Sequence, residues 1–591
     1  MDTNQKIKEV GVNIQAKATV IWNVANSLFG AYKPHEYGLV ILPMVVIKRF
    51  HDCLLPTHDQ VVKTYKEIQG LAVKDAFLRK ASGYRFYNTS EYTFDKLQAD
   101  PENIKANFEA YLNGFSDNVM DILARMDFFT QLERMSNAGL LYQVISDFCS
   151  EKADMDPKKI SAVDMGYIFE NLVQRFSESY DEEAGAHFTS RDIIYLMCDL
   201  LTDKWGMAEE GRIYTAYDMA MGTSQMLTCM EERLNSLDKE AQLICYGQEI
   251  NPFTFGIAKA DMLIRGGDPD NMQFGDTLSD DQFSGMTFDF VISNPPFGID
   301  WKREASKVEA ENKLGNGGRF APGLPPKSDG QMLFLMNGLA KLKDTGHMAI
   351  IQNGSSLFTG DAGSGPSEIR RYIIENDWLD TIIQLPTNSF YNTGISTYVW
   401  IVTKDKPAGR REHVLLIDAT QCFETRRRPV GNKRVDISEE CRNMIIKAYG
   451  EFCNNTYTED LGNDRGTIIC RSKVVDSMSL GFNKITVESP ELDSKGKPVL
   501  KKGKPVADPT KRDTENVPLN EDIDEYFERE IVPFNPDGWV DGSKTKVGYE
   551  IAMTRFFYEF PDLESSESIL SDITSLRDKL VFSLSEVIKD E

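Results

Sequence analysis

A chain of 591 residues, 41% hydrophobic and 10% aromatic, is too apolar for a disordered or fibrous polypeptide and long enough for roughly two to four domains. Its net charge of -25 repels duplex DNA, because affinity for phosphate normally comes from Lys and Arg. A nucleic-acid role therefore requires basic residues gathered on one face, or a partner that supplies the grip.

Nine cysteines stand singly, without a Cys-x-x-Cys pair, beside only six histidines. That usage points to reduced thiols in a cytoplasm and away from a zinc or other metal site. No cationic start with an apolar block and small-residue cleavage site is seen, so no secretory signal is expected. The longest apolar run, Gly38 to Ile47, contains Pro43 and falls short of the ~20 residues that span a bilayer. It reads as a buried helical segment, and no membrane association is expected.

Residues 1–155 read as a helical amino-terminal domain. Ile21, Trp22, Ala25, Leu28 and Phe29 share one helical stripe, as do Leu140, Leu141, Val144, Ile145 and Phe148. Over residues 156–475 strand-like runs alternate with helical ones. The strands are Ile213 to Tyr217, Leu243 to Ile250, Phe288 to Ser293, Met348 to Asn353, Leu379 to Leu385 and Tyr398 to Val402. Between them lie helical Gln225 to Leu237, Phe253 to Arg265 and Met332 to Leu342. Such alternation predicts a parallel α/β sheet of Rossmann-like type. Residues 476–591 form a carboxyl-terminal region. Its Lys/Gly/Pro-rich stretch Ser494 to Asp513 reads as a mobile loop or a long hairpin. Ile569, Ile573, Leu576, Leu580, Leu584 and Val587 then mark an amphipathic terminal helix wanting a partner surface. Basic clusters at Arg410-Arg411, Arg426-Arg427-Arg428 and between Lys495 and Arg512 read equally as solvated loops or as parts of a basic face. There is no internal repeat.

The chemistry centres on Asn294-Pro295-Pro296-Phe297, which follows the strand Phe288 to Ser293. In open α/β sheets the carboxyl end of a strand is where ligands bind. A Pro-Pro pair alone arises by chance about once in 400 positions, and Pro325-Pro326 is another. The Asn before it and the aromatic after it carry the signal. An adenine amino nitrogen is a poor nucleophile because its lone pair is delocalised into the ring. The Asn294 side-chain oxygen and the Pro295 carbonyl can accept its two hydrogens and favour a pyramidal nitrogen. The prolines hold both acceptors without reorganisation, and Phe297 offers a face for a flipped-out base. A rigid turn after a strand is the plainer reading of the motif alone.

Attack by a neutral amine needs an activated methyl donor. Asp218-Met219-Ala220-Met221-Gly222-Thr223-Ser224 follows a strand and precedes a helix, with Gly222 allowing close approach of the backbone. The pyrophosphate fingerprint Gly-x-Gly-x-x-Gly is absent, which suits a sulfonium cofactor. Glu249 ends the next strand and can accept ribose hydroxyls. Asp276 ends a third and can bond an adenine amine. Each alone is more often a cap or turn residue.

With these residues in hand, the chain resembles the modification (methyltransferase) subunit of type I restriction-modification systems, a gamma-ordered N-6 adenine DNA methylase. The likeness runs through Ile21-Trp22, Tyr37 to Phe50, Gly185 to Arg191, Tyr246 to Asn251, Gly275 to Leu278, Asn353 to Phe358, Leu385 to Ile395 and Gly548 to Tyr558. It implies a methyltransferase core with a helical amino-terminal domain and a carboxyl-terminal helical tail. It also implies S-adenosyl-L-methionine as cofactor, held by Ala186, His187, Phe188, Thr189, Ser190, Arg191, Asp218, Gly222, Thr223, Ser224, Gln225, Glu249 and Asp276. The implied partners are double-stranded DNA, a specificity subunit that chooses the sequence, a second modification subunit and, in some assemblies, a restriction translocase. Two departures stand out. The family's loop is close to Asp-Pro-x-x-Gly-Thr-Gly-Gly, whereas this chain has Met219 for Pro and Ser224-Gln225 for the glycine pair. Ser190 also replaces a usual Pro. A silent scaffold with the same fold, and a protein-glutamine methyltransferase with a similar turn, are the alternatives.

Overall fold

The computed structural model describes residues 21–22, 24–177, 189–202, 212–391, 393–462, 465–494, 496–558 and 565–589. The apolar run near the start is a 17-residue helix, Gly38–Leu54, that buries every residue except Leu39. Its buried charges are matched internally: Lys48 Nζ lies 2.6 Å from Asp52 Oδ1, and Asp52 Oδ2 accepts from the Met155 amide at 2.9 Å. Such pairing is what makes buried ions tolerable. Leu141, Val144, Ile145 and Phe148 line the buried face of the helix Leu141–Cys149, as their spacing predicts. The stripe at Ile21 is shorter than expected. Val24–Leu28 is a 3-10 helix whose three-residue turn carries Phe29 off the stripe, leaving it 82% exposed while Ile21, Ala25 and Leu28 are buried.

The central sheet has ten strands: β1 (Ile213–Asp218), β2 (Gln242–Glu249), β3 (Met272–Phe274), β4 (Phe288–Ser293), β5 (Leu342–Asn353), β6 (Leu379–Gln384), β7 (Thr397–Thr403), β8 (His413–Gln421), β11 (Asn455–Asp460) and β12 (Thr467–Asp476). The intervening β9 (Glu424–Val430) and β10 (Lys433–Asp436) form a separate two-stranded hairpin. Strand order in the large sheet is β11-β12-β8-β6-β7-β5-β4-β1-β2-β3. The sheet is mixed, which corrects the expectation of an all-parallel one. β7 runs antiparallel between β5 and β6, and β12 antiparallel beside β8. The reason is the connection: residues 385–396 carry no helix among the described residues, and a parallel return needs a crossover, usually helical. β1, β2, β3, β4, β5, β6 and β8 all point the same way, so their carboxyl ends share one edge.

One helix joins the amino-terminal helices to this sheet. Pro252–Ile264 is apolar nearly all round, as a helix buried on two sides must be. Ile257, Ala260 and Leu263 belong to the core of the amino-terminal helices, while Phe255, Ala258 and Met262 belong to the core under the sheet. A smaller sheet follows, with β13 (Gly481–Glu488) between β16 (Asp513–Pro518) and β17 (Trp539–Val540), and β18 (Lys546–Tyr549) also paired to β13. Between β13 and β16 the Lys/Gly/Pro-rich stretch is a hairpin arm, β14 (Leu500–Lys501) against β15 (Lys504–Pro505), turning at Lys502 and Gly503 with φ of 53° and 80°.

Residues 552–591 form a second unit. Its main element is the helix Ser566–Lys589, in which Ile573, Leu576 and Leu580 are 57%, 65% and 63% exposed.

Candidate active site

β4 delivers the site. All six of its residues are buried, and Asp289 fixes its register against β1 by accepting from the Thr215 amide at 2.9 Å and the Thr215 hydroxyl at 2.7 Å. Burial works to raise the Asp289 carboxyl, but Lys343 and the Thr215 donors hold it below the usual value. At the strand's end Asn294 presents two different faces. Its Nδ2 donates to Thr189 Oγ1 at 2.8 Å, across 105 residues of sequence, while its Oδ1 is buried and has no partner. Among the described residues no donor reaches the Pro295 carbonyl either. Pro295 is buried; Pro296 and Phe297 are half-buried, and Phe297 rests on the edge of the core under the sheet.

The backbone past Phe297 is tethered. Gly298 turns at φ 76°, and its amide points to Asp329 Oδ1 at 3.4 Å. Asp329 Oδ2 accepts from Gln331 Nε2 at 2.8 Å and from Ser355 Oγ at 2.9 Å, and Gln331 also donates to Asn353 Oδ1 at 2.7 Å. Asn353 at the end of β5 and Ser355 just past it thus brace the Asn294–Phe297 turn.

The cofactor candidates gather at the carboxyl ends of β1 and β2. Asp218 is 1% exposed and accepts from Ser293 Oγ at 2.7 Å and the Ala220 amide at 3.1 Å. Burial pushes its carboxyl up to about 7, against those two donors. The loop then turns left-handed twice, at Gly222 (φ 52°) and Ser224 (φ 68°). The Gly222 amide donates to Glu249 Oε2 at 2.8 Å, and Glu249 Oε1 accepts from the Asn251 amide at 2.7 Å. Thr223 and Gln225 line a small cleft with Arg191 and Asp261. Arg191 stacks on Tyr167 with 3.3 Å from guanidinium to ring centroid and lies 3.8 Å from Glu232. Asp276 accepts from Leu278 N and Ser279 Oγ in its own turn, and its neighbour Thr277 donates to the Met219 carbonyl at 2.6 Å. Ala186, His187 and Phe188 lie outside the described residues.

Four buried polar atoms in this zone have no partner among the described residues: Ser190 Oγ, Ser224 Oγ, Gln225 Nε2 and Asn294 Oδ1. An unmade buried bond costs about 1–3 kcal/mol, so a polar ligand here would relieve a real cost. Ser293, Asp329 and Thr277 were not legible as site residues. Ser293 stands out only as a hydroxyl closing an apolar strand, and nothing local marks Asp329 or Thr277.

A model of the N-6 DNA Methylase family matches residues 161–468, more than half of the chain, and one of the HsdM N-terminal domain matches residues 18–148. The methylase subunit of the type I restriction enzyme MjaIX from Methanocaldococcus jannaschii is 23% identical over 450 residues, covering 73% of this chain and 76% of the relative. The HindI methylase subunit from Haemophilus influenzae is 26% identical over 338 residues, covering 56% of this chain and 67% of the relative. Among solved structures, a type I restriction-modification methyltransferase subunit from Streptococcus thermophilus superposes with a TM-score of 0.60 at 22% identity, covering 78% of this chain and 96% of that one.

Ser224 occupies a position where a glycine was expected, and the structure keeps the left-handed turn there. A non-glycine residue in that region costs roughly 1–2 kcal/mol, and its buried hydroxyl is unpaired. Ser224→Gly is expected to stabilise the protein by about 1 kcal/mol after the extra chain entropy of glycine is offset. Calorimetry should show a higher unfolding midpoint; a lower one contradicts strain at this turn.

Proposed function

The chain belongs to the N-6 DNA Methylase family, and from that premise we propose that it is the modification subunit of a type I restriction-modification system, methylating the N6 amine of adenine in double-stranded DNA. The observation that carries the reading is the Asn294 amide. With Nδ2 donating to Thr189 Oγ1, Oδ1 is left over as a buried acceptor. Asn294 Oδ1 and the Pro295 carbonyl take the two amine hydrogens, and Phe297 stacks on the extruded base. The nitrogen lone pair is thereby freed from the ring. These acceptors are fixed before reaction, which is what makes them effective.

S-adenosyl-L-methionine, when bound, supplies a methyl group on a positively charged sulfur. The residues assigned to hold it are 186–191, Asp218, Gly222 to Gln225, Glu249 and Asp276. Ser190 and Ser224 offer hydroxyls that lack partners, Glu249 is the carboxylate assigned to the ribose hydroxyls, and Gly222 keeps the backbone open to close approach. Asp218 and Ser293 join the cofactor loop to the residue before Asn294, so the two halves of the site move as one. The excess of negative charge fits a subunit that shares DNA binding with a specificity subunit, a second copy of itself and, in some assemblies, a restriction subunit. The exposed face of Ser566–Lys589 is the surface assigned to helices of the specificity subunit. A cytoplasmic location follows from this role.

Two measurements test the reading. Asn294→Ala should lower methyl transfer to DNA by about 10²- to 10³-fold while leaving cofactor affinity unchanged. Label on protein in place of DNA, or no label from the wild-type complex, contradicts it. Deleting residues 565–591 should abolish assembly with the specificity subunit and spare cofactor binding; an intact complex removes the docking assignment.

A further inference from the structure

The hairpin β9–β10 carries the Arg426-Arg427-Arg428 run, which the catalytic site does not use. It begins three residues past β8, on the same edge of the sheet as Asn294. Between β8 and β4 in the sheet stand β6, β7 and β5. Four steps of strand spacing put the two strand ends about 20 Å apart. The hairpin then leans toward the site. Its turn rests on the loop after β6, with Asn432 N donating to the Tyr391 carbonyl at 2.8 Å and Arg434 N to the Asn388 carbonyl at 2.9 Å. Lys433 Nζ, buried, reaches Asp192 Oδ2 at 2.9 Å, and the Ile437 amide donates to the same oxygen at 2.8 Å. Asp192 lies three residues from Thr189, the anchor of Asn294.

The hairpin's own carboxylates are occupied: Glu424 is paired to Arg465, and Asp436 to Arg426 and Lys433. Arg427, Arg428 and Arg434 are exposed and have no acidic partner among the described residues. Three unneutralised guanidinium groups on the substrate edge of a chain of net charge -25 are a local reversal of sign. We propose that this hairpin grips the DNA backbone on the flank of the target site, away from the flipped adenine, with Arg427, Arg428 and Arg434 neutralising phosphates. A duplex carries one phosphate charge per ≈ 1.7 Å of axis, so about 20 Å along the edge corresponds to roughly six base pairs from the target base. Contacts of this kind set position and not sequence, which leaves the choice of sequence to another subunit.

This inference rests on the DNA methyltransferase reading, and its test separates the two. The full-length chain, assembled with its cognate subunits, is compared with the triple variant Arg427→Gln, Arg428→Gln, Arg434→Gln. Affinity for the recognition duplex and for a random duplex is measured against salt. The slope of log affinity on log salt should become shallower by about 2 to 3, at ≈ 0.9 per phosphate, equally on both duplexes. Cofactor affinity and unfolding midpoint should not move. Equal slopes in a complex that binds DNA overturn the hairpin assignment alone, as does a variant complex that falls apart into subunits, which would make the hairpin a protein contact. A wild-type complex without affinity for duplex DNA overturns both readings.

Discussion

One hydrogen bond organises the site: Asn294 Nδ2 to Thr189 Oγ1, at 2.8 Å. An amide is a donor at one end and an acceptor at the other, and tying the donor end decides where the acceptor points. The acceptor left over is buried and unpartnered, a cost that a ligand donor would relieve. Around this bond the rest is support. The Asp289 contacts set the register of β4, the prolines stiffen the turn, and Asp329 holds the backbone beyond Phe297.

The same region brings together two candidate motifs that sequence keeps apart. Ser293 donates to Asp218 across 75 residues, so the strand that ends in the Asn294–Phe297 turn is pinned to the strand that opens the Asp218–Gln225 loop. Gly222 donates to Glu249, and Thr277 to the Met219 carbonyl, so three strand ends are sewn together by single bonds. A buried carboxyl pushed up to about 7 sits at their centre, and a cationic ligand nearby would favour its charged form.

How far the sequence disclosed this follows from what each feature depends on. β4 and the helix Gln225–Leu237 coincide with their predicted ranges, because a strand buried on both faces is a nearly continuous apolar run and an amphipathic helix shows its period. The reversed β7 was hidden, since strand direction is set by the path of the connection and not by the strand's own residues. The small sheet around β13 was missed because its strands are short and half-exposed. At the site, residue types were legible and pairings were not. Thr189 and Arg191 read as cofactor contacts, and the structure adds that the Thr189 hydroxyl anchors Asn294 and that Arg191 stacks on Tyr167. The departure at Ser224 looked like a lost glycine, and the serine adopts the glycine's conformation.

The central claim is that the Asn294 acceptor receives the adenine amine. The direct test is a structure of the assembled enzyme on a duplex containing its target, with a non-transferring analogue of S-adenosylmethionine. The extruded adenine should place N6 at hydrogen-bond distance, about 3 Å, from Asn294 Oδ1, with Nδ2 still on Thr189. An adenine that remains stacked in the duplex, or an Asn294 Oδ1 bonded to the protein and turned from the base, would contradict it.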